Sequence, residues 1–192
     1  MQVRKAVIQD SESIASLLML ATGEVIYGFI GERNFEKAQA FLGRFVKSEN
    51  NQYSFQNCQV VAQEGKILGA ILAYDGAKLE ELRKPILDYV REHYKAHLQV
   101  EDETQAGEYY IDSLGVLPDQ QGKGIGATLL QSVIDEQVYK YGQTVGLLVD
   151  KANPSAKKLY LKLGFELVGE KSLFGMSLEH LQLKPSTSIG SV

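Results

Sequence analysis

The chain has 192 residues, enough for one well-buried domain and short for two, and its 44% hydrophobic and 23% charged residues are ordinary for a globular protein. A net charge of -4 argues against a nucleic-acid footprint, which needs a concentrated basic surface, and no long uncharged apolar run of a membrane span is expected. The single cysteine, Cys58, excludes an internal disulfide, and no Cys/His group has zinc spacing. Cys58 lies in the apolar run CQVVA and reads as a small core residue. The opening MQVRKA lacks an apolar signal core, so a cytoplasmic location is expected.

In chain order, residues 3–8 alternate as a strand. Asp10 or Ser11 is then placed to cap a helix with Ile14, Leu17, Leu18 and Ala21 on one face. A glycine-containing loop is predicted over 23–31, followed by a helix over 35–46 carrying Phe35, Ala38, Phe41, Leu42 and Phe45. Residues 59–62 and 67–74 read as strands joined at Glu64-Gly65-Lys66, a hairpin turn. Residues 78–94 place Leu79, Leu82, Ile86, Tyr89, Val90 and His93 on a helical face, with Pro85 expected in a first turn. His93 and His97 stand one turn apart without a third metal ligand, so they read as surface residues and no metal is expected.

A polar acidic connector over 101–104 leads to a strand over 109–116, a glycine-rich turn and a helix over 124–141. Residues 144–149 form a continuous apolar strand of the kind buried on both faces of a parallel sheet. A helix over 154–163 stops at Gly164. Closing strands are predicted over 165–168 and 174–178, and the Ser/Thr/Gly-rich residues 184–192 as a flexible tail. Strand, helix and strand over 109–149 make one parallel βαβ unit among antiparallel hairpins. The prediction is therefore a single mixed α/β domain over residues 1–183, with a helical insert over about 76–107.

The chemistry centres on Pro118-Asp119-Gln120-Gln121-Gly122-Lys123-Gly124-Ile125-Gly126-Ala127. Glycines at alternate positions let the backbone turn and expose N–H groups at a helix start, where the helix dipole favours an anion such as a diphosphate; Lys123 adds a cation. The Gly-Lys-Ser/Thr of a P-loop is absent. Gly122, Gly124 and Ala127 do fit the dinucleotide pattern G-x-G-x-x-[G/A], with Asp150 as a ribose-binding acid, but Leu117 to Gln121 separate the strand from the first glycine. Two further readings stay open on these residues alone: a tight packing turn, and a dinucleotide-binding oxidoreductase.

The run Gln121-Gly122-Lys123-Gly124-Ile125-Gly126 resembles the Q/R-x-x-G-x-G/A signature of the GNAT acetyltransferases, with Val116 and Pro118 ahead of it and Leu129 and Leu130 after it. The block Asn153-Pro154-Ser155-Ala156-Lys157-Lys158-Leu159-Tyr160, ending at Gly164-Phe165, resembles the second motif of that family, N-x-x-A-x-x-L-Y-x-x-x-G-F. The specific likeness covers residues 109–178. Without it, Asn153 reads as a helix cap and Tyr160 as a packing residue.

The resemblance implies a six- to seven-stranded, mostly antiparallel sheet with helices on both faces, and acetyl transfer from acetyl-CoA to a primary amine of a small molecule, peptide or protein. It implies that residues Gln121 to Ala127 (Gln121, Gly122, Lys123, Gly124, Ile125, Gly126, Ala127), together with Asn153, hold coenzyme A. Leu114 and Val116 bind its thioester and pantetheine arm beside a bulge in a splayed strand pair, and Gly115 lets the coenzyme approach. Tyr160 matches the general acid that meets the sulfur. The glutamates that serve family members as bases fall at Tyr110 and Leu148 here, so Asp112 and Glu108, on the face of Tyr110, are the base candidates. A non-catalytic acyl-CoA-binding module is the alternative that these missing glutamates raise. The acceptor is expected between residues 23–31, with Tyr27 and Phe29, and residues 78–103, whose acidic balance suits a cationic amine. A homodimer is compatible with the chain.

Overall fold

The computed structural model describes residues 2–94 and 98–186. Its twelve main elements are β1 (Gln2–Lys5), α1 (Ser11–Ile30), α2 (Phe35–Lys47), β2 (Cys58–Gln63), β3 (Lys66–Asp75), α3 (Leu79–His93), β4 (Glu108–Val116), α4 (Ile125–Ile134), β5 (Thr144–Asp150), α5 (Pro154–Lys162), β6 (Glu166–Leu173) and β7 (Met176–Leu183). The seven strands form one sheet in the order β1-β2-β3-β4-β5-β7-β6, with β4 and β5 parallel and every other neighbouring pair antiparallel. This is the mixed sheet that the βαβ unit and hairpins predict.

Alternation along each strand divides the core in two. On one face Val60, Ala70 and Leu72 pack with α1, α2 and α3; on the other Val61, Ile71, Ile111 and Leu147 pack with α4. Phe29, Phe41, Phe45, Tyr53 and Tyr89 form a chain of aromatic contacts that binds α3 to α2. The β2–β3 turn has φ of 52° at Glu64 and 78° at Gly65, the left-handed pair of a two-residue hairpin.

Several boundaries differ from the sequence expectations. Residues 23–30 are helix, not loop: α1 runs unbroken to Ile30 and is ended by Gly31, in the left-handed conformation at φ 72°. Gly23 and Gly28 are tolerated inside α1 because packing supplies what propensity withholds; a Cβ on Gly28 would strike the Phe174 ring. Ala21 is exposed. The Asp10 carboxylate does not cap α1 but pairs with Arg4 at 2.6 and 2.9 Å, and the Ser11 hydroxyl donates to the Ile8 carbonyl.

Pro85 stands in the interior of α3 rather than its first turn. Phe35 is exposed at the start of α2, where Asn34 caps the helix by accepting from the Lys37 N–H at 3.0 Å. The residues after α4, Asp135–Lys140, wind as a π turn. The two closing strands run 166–173 and 176–183, because Phe174 and Gly175, at φ 47° and 77°, form the turn. The residues 1–183 reading of the domain thus ends with β7. Of the expected tail, 184–186 have no regular structure and 187–192 lie outside the described residues, as does His97. His93 is exposed and stacks on Tyr89 at 3.8 Å. Contrary to expectation, residues Ile8–Ile30 are long and apolar enough to cross a membrane, at mean hydropathy 1.6. Here Ile14, Leu17, Leu18, Ile26 and Phe29 of that stretch are buried in the first core.

Candidate active site

The parallel pair β4–β5 holds register only over Glu108↔Thr144 to Ile111↔Leu147. Beyond it β4 follows β3 and β5 follows β7, so the two part at their carboxyl ends. One extra residue on β4, Asp112, makes a bulge where Leu72↔Ser113 gives way to Ala73↔Ile111, and sharpens the divergence. The Leu117 N–H donates to the Leu68 carbonyl on β3 at 3.0 Å. Peptide groups alternate sides along a strand, so those of Leu114 and Val116 face the gap left by β5. The Gln121 amide donates to the Val116 carbonyl in that gap at 3.3 Å. A wedge with free backbone donors at the carboxyl end of a parallel pair is where open α/β sheets bind ligands.

The glycine turn closes one side of the wedge. Gly122 and Gly124 sit at φ 77° and 83°, where L side chains are strained, and nothing stands where their Cβ atoms would be. The first helical bond of α4 runs from the Thr128 N–H to the Gly124 carbonyl, so the N–H groups of Ile125, Gly126 and Ala127 precede the ladder and point outward. Ile125 is buried as the anchor, and Gly126 passes under Leu114 and Val116. Lys123 is exposed, its ammonium 3.1 Å from Gln120. A groove of about 870 Å³ continues from Ala127, Thr128 and Leu163 along α4 toward Arg4 on β1.

Helix α5 closes the other side. It starts where the strand-to-helix turn from β5 brings it, with Asn153 accepting from the Ala156 N–H at 3.1 Å; that side-chain oxygen is the helix cap. Tyr160 packs into the second core, edge-on to Phe165 at 6.0 Å. Burial alone pushes its phenol up to about 12, and no side-chain hydrogen bond holds its hydroxyl among the described residues. Gly115 corrects an expectation. Its missing Cβ makes room for the Leu17 carbonyl of α1, not for the wedge, so this glycine docks helix on sheet.

The two base candidates differ in surroundings. Glu108 lies over Gly146, accepts from Thr104 at 2.7 Å and Gln182 at 2.7 Å, and sits 2.9 Å from His180 Nε2. Burial acts to raise its carboxyl, but the bonds from His180, Gln182 and Thr104 outweigh it and hold it below the usual range. Asp112 is half-buried at the bulge. Its Oδ2 accepts from Gln52 Nε2 at 2.8 Å and from the Tyr74 hydroxyl at 2.9 Å, and burial raises it. The same two donors also reach Glu103 Oε1, at 2.5 and 3.3 Å, which pairs with Arg83 at 2.8 Å.

The acidic connector is therefore not solvated throughout: Glu103 and Thr104 are buried. Sequence reasoning missed Glu103, Arg83, Gln52, Tyr74 and His180. Arg83 alone had a signal, since it shares a helical face with Leu79, Ile86 and Val90. Tyr110, at one expected glutamate position, is buried edge-on to Tyr74. Leu148, at the other, packs beside that pair and opposite His180.

Fold and wedge together define a split-sheet protein with a glycine turn of outward backbone N–H groups beside the split. The family model described as Acetyltransferase (GNAT) family matches residues 24–165, and the chain belongs to that family. Among curated relatives, N-alpha-acetyltransferase RimI of Mycobacterium tuberculosis is 40% identical over 62 residues, 32% of this chain and 37% of that one. Mycothiol acetyltransferase of Corynebacterium aurimucosum is 34% identical over 77 residues, 40% of this chain and 25% of that one. The matches thus span about a third and a quarter of those relatives. The crystal structure of an N-acetyltransferase from Staphylococcus aureus Mu50 superposes with a TM-score of 0.84 at 22% identity, covering 95% of this chain and 100% of that one, which shows a shared fold. Neither the oxidoreductase reading nor the non-catalytic module finds support in these relatives. Asp150, the residue offered for a ribose, instead accepts from the Ala152 N–H at 2.8 Å within its turn.

Proposed function

We propose that the chain transfers an acetyl group from acetyl-CoA to a primary amine, with the wedge between β4 and β5 as the thioester site. The observation that carries this reading is the free edge of β4 at Leu114 and Val116, opening beside the outward N–H groups of Ile125 to Ala127. The diphosphate lies on the turn from Gln121 to Ala127, where backbone donors and the start of α4 favour negative charge and Lys123 adds to it. The pantetheine arm extends β4 as a strand would, bonding Val116 and Leu114. The Leu114 N–H donates to the thioester oxygen, so charge developing there meets a fixed dipole.

Tyr160 donates a hydrogen bond to the sulfur as it leaves. With its phenol near 12 and a free thiol near 8.5, complete proton transfer from Tyr160 to the thiolate is uphill, so the hydroxyl acts as a donor to developing charge. Asp112, at the bulge where β4 turns away from β5, serves as the base. Glu108 has its carboxylate saturated by Thr104, His180 and Gln182 and is the weaker candidate. Asn153 orients α5 against the coenzyme.

The test pairs binding with turnover. Acetyl-CoA and coenzyme A should raise the melting temperature and NAD should not; at a hundred times its dissociation constant acetyl-CoA adds about 2.7 kcal/mol. Free thiol should then appear with a primary amine from a panel of alkylamines and peptide N-termini. Stabilisation by NAD alone would reject the site, and stabilisation by acetyl-CoA without thiol release from any amine would reject the activity.

A further inference from the structure

Five segments bring polar groups to one enclosed place behind the β4 bulge. Gln52 comes from the loop after α2, Tyr74 from β3, Arg83 from α3, Glu103 from the connector and Asp112 from β4. The Gln52 amide donates to both carboxylates, and the Tyr74 hydroxyl donates to Asp112 at 2.9 Å with Glu103 at 3.3 Å, so Glu103 Oε1 and Asp112 Oδ2 flank the same two groups. One cation serves the two acids: Arg83 donates to Glu103 at 2.8 Å, and its other amine faces Glu101 O and the exposed Asp102. One fully buried and one partly buried carboxylate with one guanidinium leave one negative charge uncompensated, and covering that charge is costly.

The Tyr53 hydroxyl, wholly buried, meets Thr22 rather than either carboxylate, and the charges of Asp112 and Glu103 both bear on it. The remaining titratable neighbours, Tyr74, Tyr110 and Cys58, are all raised by burial first and stay neutral. What the place lacks is one positive charge, or one proton. Asp112 is the member open to solvent, being partly exposed at the bulge where Glu103 is fully covered.

We propose that Glu103 and Asp112 form a carboxylate pair that holds one proton in exchange with the acceptor, drawing in an amine as its ammonium ion and taking the proton that must leave before attack. This rests on the acetyl-transfer reading. Asp112 is the catalytic partner, and Glu103, anchored by Arg83, is a positioning residue that sets how readily Asp112 accepts. The ammonium passes one proton to Asp112. The neutral nitrogen then bonds the thioester carbon as the carbon–sulfur bond breaks, and the second nitrogen proton goes to the departing sulfur. The pair returns its proton to water after the amide leaves. Burial first and Asp112 second, against the pull of Arg83 and Gln52, hold Glu103 up at about 7, and burial raises Asp112 as well. The segment over residues 78–103, expected to border the acceptor, thus supplies charge to the site from behind.

The experiment combines an infrared pH titration with rate profiles of the full chain. The unmodified protein should show the carbonyl band of a buried protonated carboxyl near neutral pH, absent in Glu103→Gln and Asp112→Asn. With an alkylamine, Asp112→Asn should lose about 10²–10⁴ in kcat/KM. Glu103→Gln should lose less and move the acid limb of the profile to lower pH, because Asp112 no longer has a charged neighbour. With an aromatic amine, already neutral at the assay pH, Glu103→Gln should have little effect. An unmoved acid limb in a Glu103→Gln variant that still binds acetyl-CoA would overturn the pair's role, as would a missing carboxyl band in an active enzyme. No thiol release by the unmodified protein from any amine, with the band present, would instead overturn the acetyl-transfer reading and this role with it.

Discussion

At the scale of single residues, Tyr160 and Gly124 separate chemistry from binding. Tyr160→Phe keeps the ring against Phe165 and removes the hydroxyl offered to sulfur. Loss of a positioned acid commonly costs about 10²–10⁴ in rate, and here it should fall on kcat more than on KM, because charge on sulfur belongs to the transition state. Acetyl-CoA titration by melting temperature should be unchanged; wild-type turnover under chemistry-limited conditions would reduce Tyr160 to packing. Gly124 is tested by two substitutions. At φ 83° both Ala and Glu are strained by about 1 kcal/mol, but only Glu adds a charge against a diphosphate. Gly124→Ala should weaken acetyl-CoA binding modestly and Gly124→Glu should abolish it, measured by calorimetry. Equal loss in both would mean the turn binds through shape alone. These residues were legible because motif spacing marks a backbone need that survives without coordinates. Glu103 was not, since its burial depends on Arg83 and Gln52, distant in sequence, and Gly115 looked like a ligand-side glycine until the Leu17 carbonyl was found against it.

At the scale of elements, α3 explains what sequence periodicity can and cannot show. Ile86 and Val90 at helical spacing announced a buried face, and both are buried against α2 and the sheet. Nothing in that spacing said that Arg83, on the same face, would enter a carboxylate cluster. Ile86 is fully buried, so Ile86→Ala should cost about 2–5 kcal/mol of unfolding free energy by denaturant titration. A cost under about 1 kcal/mol would mean α3 rests loosely on the core and is free to act as a lid. The misread segment over 23–31 has a related cause. Its three glycines suggested a loop, yet Ile26, Phe29 and Ile30 are buried on the core side and hold the helix together. Tertiary burial overrode local propensity there. The Phe174 turn was misread in the opposite direction, as an aromatic strand residue, because a non-glycine at positive φ leaves no mark in the pattern.

At the scale of the whole molecule, the buried acids should show in stability against pH. Glu103 has a folded value near 7 and an ordinary value of 4.5, so the folded chain keeps a proton that the unfolded chain has released across that window. Stability must then fall as pH rises from about 4.5 to 7, by at most about 1.4 kcal/mol per pH unit for one proton. Glu108, held below its ordinary value, acts in the opposite sense and contributes stability that is lost as pH falls through its folded value. Glu103→Gln should flatten the decline between pH 5 and 7 in chemical denaturation; an unaltered slope would assign the dependence to other groups. Glu108 also has a mechanical consequence for assembly of the sheet. Its carboxylate starts on β4, crosses β5 and ends at His180 and Gln182 on β7, and only the bare backbone of Gly146 lets it pass. Every other residue of β5 carries a side chain. A slip of β5 by one position would turn Val145 or Leu147 under that bridge, and a slip by two would bring Thr144 or Leu148. The bridge therefore works as a key cut for a single alignment, and the wedge opens at one place along β4 because the chain can latch in no other frame.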